Sequence, residues 1–208
     1  RPADVPSGVR ILAQVSPDNR QCTFTVDRPI LTGLSWRFPD RAAALLSPFG
    51  EALFANEEVA WAQVDHDALV VARRSGKDGD WAPLAKALGA LIRDAVVREV
   101  PVLTEQTRAA LPTPSAIAAA LETVIVEEVN PGVASHGGVV TLREVRGNAV
   151  YVEMGGGCQG CSAAALTLKI GIYNAFRAAV PGVGAIYDLT DHSAGTRPYF
   201  REVVPEGV

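Results

Sequence analysis

The chain has 208 residues, 48% apolar and 20% charged, with a net charge of −4 and a pI near 5.4. That balance excludes disorder of the whole chain, and an acidic surface without a Lys/Arg cluster argues against nucleic acid as a partner. The longest apolar runs, such as Ala116 to Ala120 and Ala163 to Leu168, fall far short of the roughly 20 residues that cross a bilayer, so no membrane partner is expected either.

In the first half, Val9 to Val15 and Cys22 to Val26 alternate as two strands of a hairpin around Ser16-Pro17-Asp18-Asn19, a turn-rich tetrapeptide. Helical sequence follows from Asp40, and Ser47-Pro48 restarts it, serine as cap and proline in the first turn. Val59 to Val64 and Ala68 to Arg73 flank Asp65-His66-Asp67 as a second hairpin. After Asp80, the spacing of Trp81, Leu84, Leu88, Leu91, Ile92 and Ala95 predicts a helix with one core-facing stripe. The prolines and polar residues of 103–113 break the pattern and read as a linker between two domains, 1–102 and 114–190, with 191–208 as a C-terminal tail.

The second half opens with a helix at Thr113-Pro114, whose apolar face is Ile117, Leu121, Val124 and Ile125. Asn130-Pro131-Gly132 is expected to stop it. Val139 to Val145 and Ala149 to Met154 make strands joined at Arg146-Gly147-Asn148. A long helix then carries Cys161, Ala165, Leu168, Ile172, Phe176 and Ala179 down one side, until Pro181-Gly182 ends it before a last strand, Gly184 to Leu189. The fold class is α+β: two small two-layer α/β sandwiches, the C-terminal one α-β-β-α-β.

Between the second strand of that unit and its long helix lies Gly155-Gly156-Gly157-Cys158-Gln159-Gly160-Cys161-Ser162. Two cysteines three apart at a helix start share a face, and the amides there favour the thiolate that ligates metals or attacks disulfides. The candidate ligands are Cys158 and Cys161; no catalytic residue is assigned. Four readings stay open. Simple packing cysteines would not need so many glycines around them. A thioredoxin-like dithiol has the same helix-start chemistry, but the preceding strands read as a tight hairpin rather than part of a βαβ unit. A closed zinc site needs four ligands, and no second C-x-x-C or H-x-H pair is present. A cluster bridging two identical subunits, each giving Cys158 and Cys161, satisfies the ligand count.

The other candidates read as structural. Cys22 falls in a strand of the first half, His66 in a hairpin turn, His192 in the tail, and His136 ahead of two glycines at a strand end, where it can pack near the cysteine segment. An odd number of cysteines makes no disulfide framework. The N-terminus, interrupted by Asp4, Pro6 and Gly8, does not read as a signal peptide, and a soluble intracellular protein is expected.

Asn130-Pro131-Gly132-Val133-Ala134-Ser135-His136-Gly137-Gly138, the Gly155 to Cys161 segment and Thr167-Leu168-Lys169-Ile170-Gly171-Ile172 resemble the Nfu-type iron–sulfur carrier domain, also found at the C-terminus of NifU. The resemblance spans roughly Pro114 to Leu189, and the ending from Asp188 to His192 followed by Pro198-Tyr199-Phe200 is similar to the bacterial form. The first half more loosely resembles the separate Nfu N-terminal domain, through Ser16 to Asn19, Ser47-Pro48, Leu53-Phe54, Val59 and Asp80-Trp81; its Pro-Asn-Pro-type turn is here Ser-Pro-Asp-Asn. The resemblance implies a non-enzymatic scaffold or carrier. It would receive an iron–sulfur cluster, of the [4Fe–4S] type, from an upstream assembly scaffold, hold it between two subunits of a homodimer, and pass it to apo iron–sulfur proteins. The implied compartment is the bacterial cytoplasm, or the mitochondrial matrix in a eukaryote. The runner-up is a thiol–disulfide oxidoreductase using the same two cysteines.

Overall fold

The computed structural model describes residues 8–75, 78–135, 137–156 and 163–190. The chain divides into two units, one of Arg1–Thr32 and Trp36–Ala110, the other of Gly33–Ser35 and Leu111–Val208.

The first unit is built on a five-stranded sheet. Strands β1 (Ile11–Val15) and β2 (Gln21–Val26) form the first expected hairpin, pairing antiparallel from Val15↔Cys22 to Ile11↔Val26. Asn19 takes the left-handed conformation its turn requires, φ 61°. Strands β4 (Val59–His66) and β5 (Ala68–Arg73) form the second, and His66 has φ 53° at the reversal, which makes it a turn residue. β3 (Leu31–Phe38), which the sequence reading did not anticipate, closes one edge, and the order is β1-β2-β5-β4-β3. Every residue of β5, the central strand, is buried.

Short helix α1 (Arg41–Ala44) is capped by Asp40, and α2 (Pro48–Phe54) by Ser47, whose hydroxyl accepts from the Gly50 N–H at 2.9 Å and donates to the Val102 carbonyl at 2.7 Å. Helix α3 (Trp81–Val97), capped by Asp80, packs on β1 and β2 through Trp81, Leu84, Leu88, Ile92 and Ala95; Leu91 is only half-buried. The Trp81 indole N–H donates to the Asn19 carbonyl at 3.0 Å, and the Arg73 guanidinium lies 5.1 Å from its ring centroid. Within the segment read as a linker, Glu105–Ala109 form a one-turn helix, α4, under a Thr104 cap.

The second unit stacks helices on a three-stranded sheet. Helix α5 (Pro114–Val124) starts under Thr113 with proline in the first turn, as expected. The expected stop at Asn130-Pro131-Gly132 is not found. The helix widens into a π-helical turn over Ile125–Val129, where the Asn130 N–H bonds the Ile125 carbonyl, and runs on as α6 (Asn130–Ala134). The restart puts Pro131 in a first turn, where a missing N–H leaves no helix bond wanting.

Strands β6 (Gly138–Arg146) and β7 (Ala149–Gly156) are antiparallel around Gly147, φ 59°, and β8 (Ile186–Asp188), shorter than expected, pairs with β7 in parallel. The sheet order is β6-β7-β8. Helix α7 (Ala163–Ala179) joins β7 to β8. β7 alternates, Val150, Val152 and Met154 facing the core, where they meet Ile117, Leu121, Ile125, Ile172 and Phe176. Ala179, expected on the buried stripe, is exposed; Val180 takes the buried place.

This topology corrects one sequence argument. β7 belongs to a hairpin with β6 and also to a β-α-β crossover through α7, so the hairpin does not count against a dithiol reading.

Candidate metal centre

Residues 157–162, with both candidate ligands Cys158 and Cys161, lie outside the described residues, as do His136 and His192. The frame on either side of them is described. Register pairs Gly138 with Gly156, Val139 with Gly155 and Val140 with Met154. Gly138, the first residue of β6, and Gly156, the last of β7, therefore stand opposite each other at one end of the hairpin. A Cβ at Gly155 would stand 2.9 Å from Val139 Cγ1, so a side chain there would push its partner strand's valine aside. Six residues separate Gly156 from Ala163, where α7 begins. The first turn of a helix has amide N–H groups without intrahelical partners, a setting that favours thiolate over thiol.

Side chains tie down the sheet at this end. The Asn130 side-chain oxygen accepts from the Val140 N–H at 2.8 Å, and its amide nitrogen donates to the Val140 carbonyl at 3.2 Å. Both polar groups of Val140 thus point away from β7, and the Val140/Met154 pair is of the non-hydrogen-bonded kind. On the other side, the Met154 N–H donates to Thr190 Oγ1 at 2.6 Å, beyond the last residue of β8. The Thr190 N–H donates to Asp188 Oδ1 at 2.9 Å, and Asp188 Oδ2 meets Lys169 Nζ of α7 at 2.9 Å. The Lys169 and Asp188 side chains are only 10% and 5% exposed, so this is a buried ion pair.

The sequence reading gave Lys169 and Asp188 no role. The available signal was a lysine three and four residues before Ile172 and Tyr173, on a helix face otherwise apolar: a buried cation needs a buried anion. By contrast, Arg143–Glu153 and Arg146–Glu144 at 2.7 Å sit in the exposed part of the hairpin, beside a bulge between Leu142 and Glu144. Such pairs contribute little to stability. The Arg146 guanidinium holds the Glu144 carboxyl below its ordinary range.

Cys22 lies in β2 of the first unit, fully buried, and burial pushes its thiol up to about 11. A protonated, enclosed thiol is a packing residue, as the sequence reading had it. Among the described residues no group of three or more His, Cys, Asp or Glu side chains converges to hold a metal ion, and no helix is long and apolar enough to cross a membrane.

Residues 121–187 match the family model described as NifU-like domain. Over 85 residues the chain is 47% identical to the Fe/S biogenesis protein NfuA of Stenotrophomonas maltophilia, a match covering 40% of this chain and 41% of that protein. Over 77 residues it is 48% identical to the Fe/S biogenesis protein NfuA of Xanthomonas euvesicatoria, covering 36% and 39%. The chain thus spans about two-fifths of the length of the curated relatives it matches. An NMR structure of a NifU-like protein from Saccharomyces cerevisiae aligns at a TM-score of 0.40 and 12% identity, covering 47% of this chain and 86% of that one, a likeness too slight to bear on function.

Proposed function

We propose, from the premise that residues 121–187 are a NifU-like domain, that this chain is a scaffold or carrier of iron–sulfur clusters. Its cargo is a [4Fe–4S] cluster held between two subunits, Cys158 and Cys161 of each supplying the four thiolates that such a cluster takes. The observation that supports this most is the placing of the C-x-x-C segment in the six residues between β7 and α7, in a chain whose third cysteine is a buried, protonated core residue. One chain then has half a ligand set, and a second copy completes it. A site divided between two subunits opens when they separate, so handing the cluster to acceptor thiolates does not require prying apart an enclosed four-cysteine cage.

In this reading the chain is no enzyme. Its donor is an upstream assembly scaffold, its clients are apo iron–sulfur proteins, and it works in the bacterial cytoplasm. The domain running over 1–102 is Nfu N-terminal-like and contacts clients or donors, and 114–190 is the cluster domain. A test is to mix the loaded protein with an apo-acceptor: transfer of the cluster within minutes, with loss of the dimer, is expected. A cluster that stays bound on dilution in the presence of the acceptor contradicts the reading.

The β7–α7–β8 crossover supports a second reading, thiol–disulfide exchange with Cys158 attacking and Cys161 resolving, since a dithiol at the head of a crossover helix has that chemistry. Substituting Cys161 separates the two. A trapped mixed disulfide with substrate favours the oxidoreductase, and a lost brown chromophore favours the carrier.

A further inference from the structure

The contacts at the end of the second sheet line up in one row. Asn130 of α6 grips Val140; Val140 faces Met154 across the hairpin; Met154 donates to Thr190; Thr190 donates to Asp188; Asp188 pairs with Lys169 of α7. Two of these side chains, Asn130 and Thr190, stand where a backbone partner is lacking. β6 is an edge strand, and the Asn130 amide takes the place of a further strand on Val140. β8 ends at Asp188, and the Thr190 hydroxyl takes the place of its continuation on Met154. The row crosses the sheet two residues short of the last residue of β7 and reaches α7 six residues past its first. It thereby connects β7 and α7, the elements before and after residues 157–162.

We propose that Asn130, Thr190, Asp188 and Lys169 form a belt of positioning residues that sets the spacing between β7 and α7, the two elements that flank the C-x-x-C segment in the chain. The proposal rests on the carrier reading for its purpose, though not for its geometry. In this proposal none of the four is a ligand. They act through the backbone of Met154 and through the helix that carries Lys169. A less firmly held pair of thiols exchanges its ligand bonds more readily, so the belt sets the rate at which cargo is lost.

The test uses the full chain in three variants: Thr190→Val, which removes the acceptor for a buried N–H; Thr190→Ser, which restores it; and Ile117→Val, a trim in the same core away from the row. With the cluster reconstituted, its loss to a ferrous chelator is expected to be about ten-fold faster in the valine variant, the rate equivalent of one hydrogen bond, and near wild type in the other two. In the apo chain, the ratio of the alkylation rates of Cys158 and Cys161 is expected to shift in the valine variant and return in the serine variant. An unchanged ratio overturns the belt, as does equal acceleration of cluster loss by Ile117→Val. A wild-type chain that takes up no cluster overturns the carrier reading instead, and the thiol ratio then decides the belt by itself.

Discussion

In the carrier reading, Cys22 and the pair Cys158/Cys161 put the same side chain to opposite uses. Cys22 is enclosed with Phe24 and Val26 on the inner face of β2, and a thiol without water around it holds its proton. Iodoacetamide at neutral pH is therefore expected to label two thiols of the folded apo chain, the third only in denaturant; three equal rates would contradict this assignment. The same burial makes stability fall at alkaline pH. The native thiol keeps its proton to about 11 and the unfolded one loses it near the ordinary 9.0, so the contribution is whole below about 9 and fades as pH rises toward 11. The loss is on the order of 2 kcal/mol, and denaturant titrations between pH 8 and roughly 11 should show it in wild type and not in Cys22→Ala. The burial of Cys22 was legible, because it follows from alternation along a strand. The Lys169–Asp188 pair was not, because its partners are brought together only by the return of β8 beside β7.

Among the elements, those with local signals matched expectation. Ser47, Asp80 and Thr113 cap the helices that their spacing predicted, and both hairpins of the first unit reverse where polar turn residues stand. Ser47→Ala removes both the cap and the donor to the Val102 carbonyl, and is expected to cost about 1–2 kcal/mol in chemical denaturation. Two elements escaped. β3 is an edge strand whose buried and exposed positions do not alternate, and Gly33 with φ 73° breaks its pattern. The α5 to α6 helix runs through Asn130-Pro131-Gly132 because a π-helical turn resets its hydrogen bonding just before the proline. That reset also brings Asn130 to Val140, so Asn130→Ala should cost about 1–2 kcal/mol and speed exchange of the Val140 amide, while a variant as stable as wild type would show the contact to be idle.

On the scale of the whole molecule, the α+β class could be read from hairpins and helical stripes, both of which are encoded within short stretches. The parallel β7–β8 pairing could not, since its strands are separated by all of α7 and no turn residue announces it. It makes α7, which follows the C-x-x-C segment in the chain, a crossover helix, and it lets residues 188 and 190 reach the end of β7. In the proposed reading one chain supplies half of the cluster's ligand set and a second copy the other half. The most direct measurement is anaerobic reconstitution with iron and sulfide, followed by metal and sulfide content and native mass, on the intact chain and on Cys158→Ala. A brown dimer with about four iron and four sulfide per two chains, absent in the variant, is the expected result. A colourless monomer, or a cluster that survives in Cys158→Ala, would contradict it.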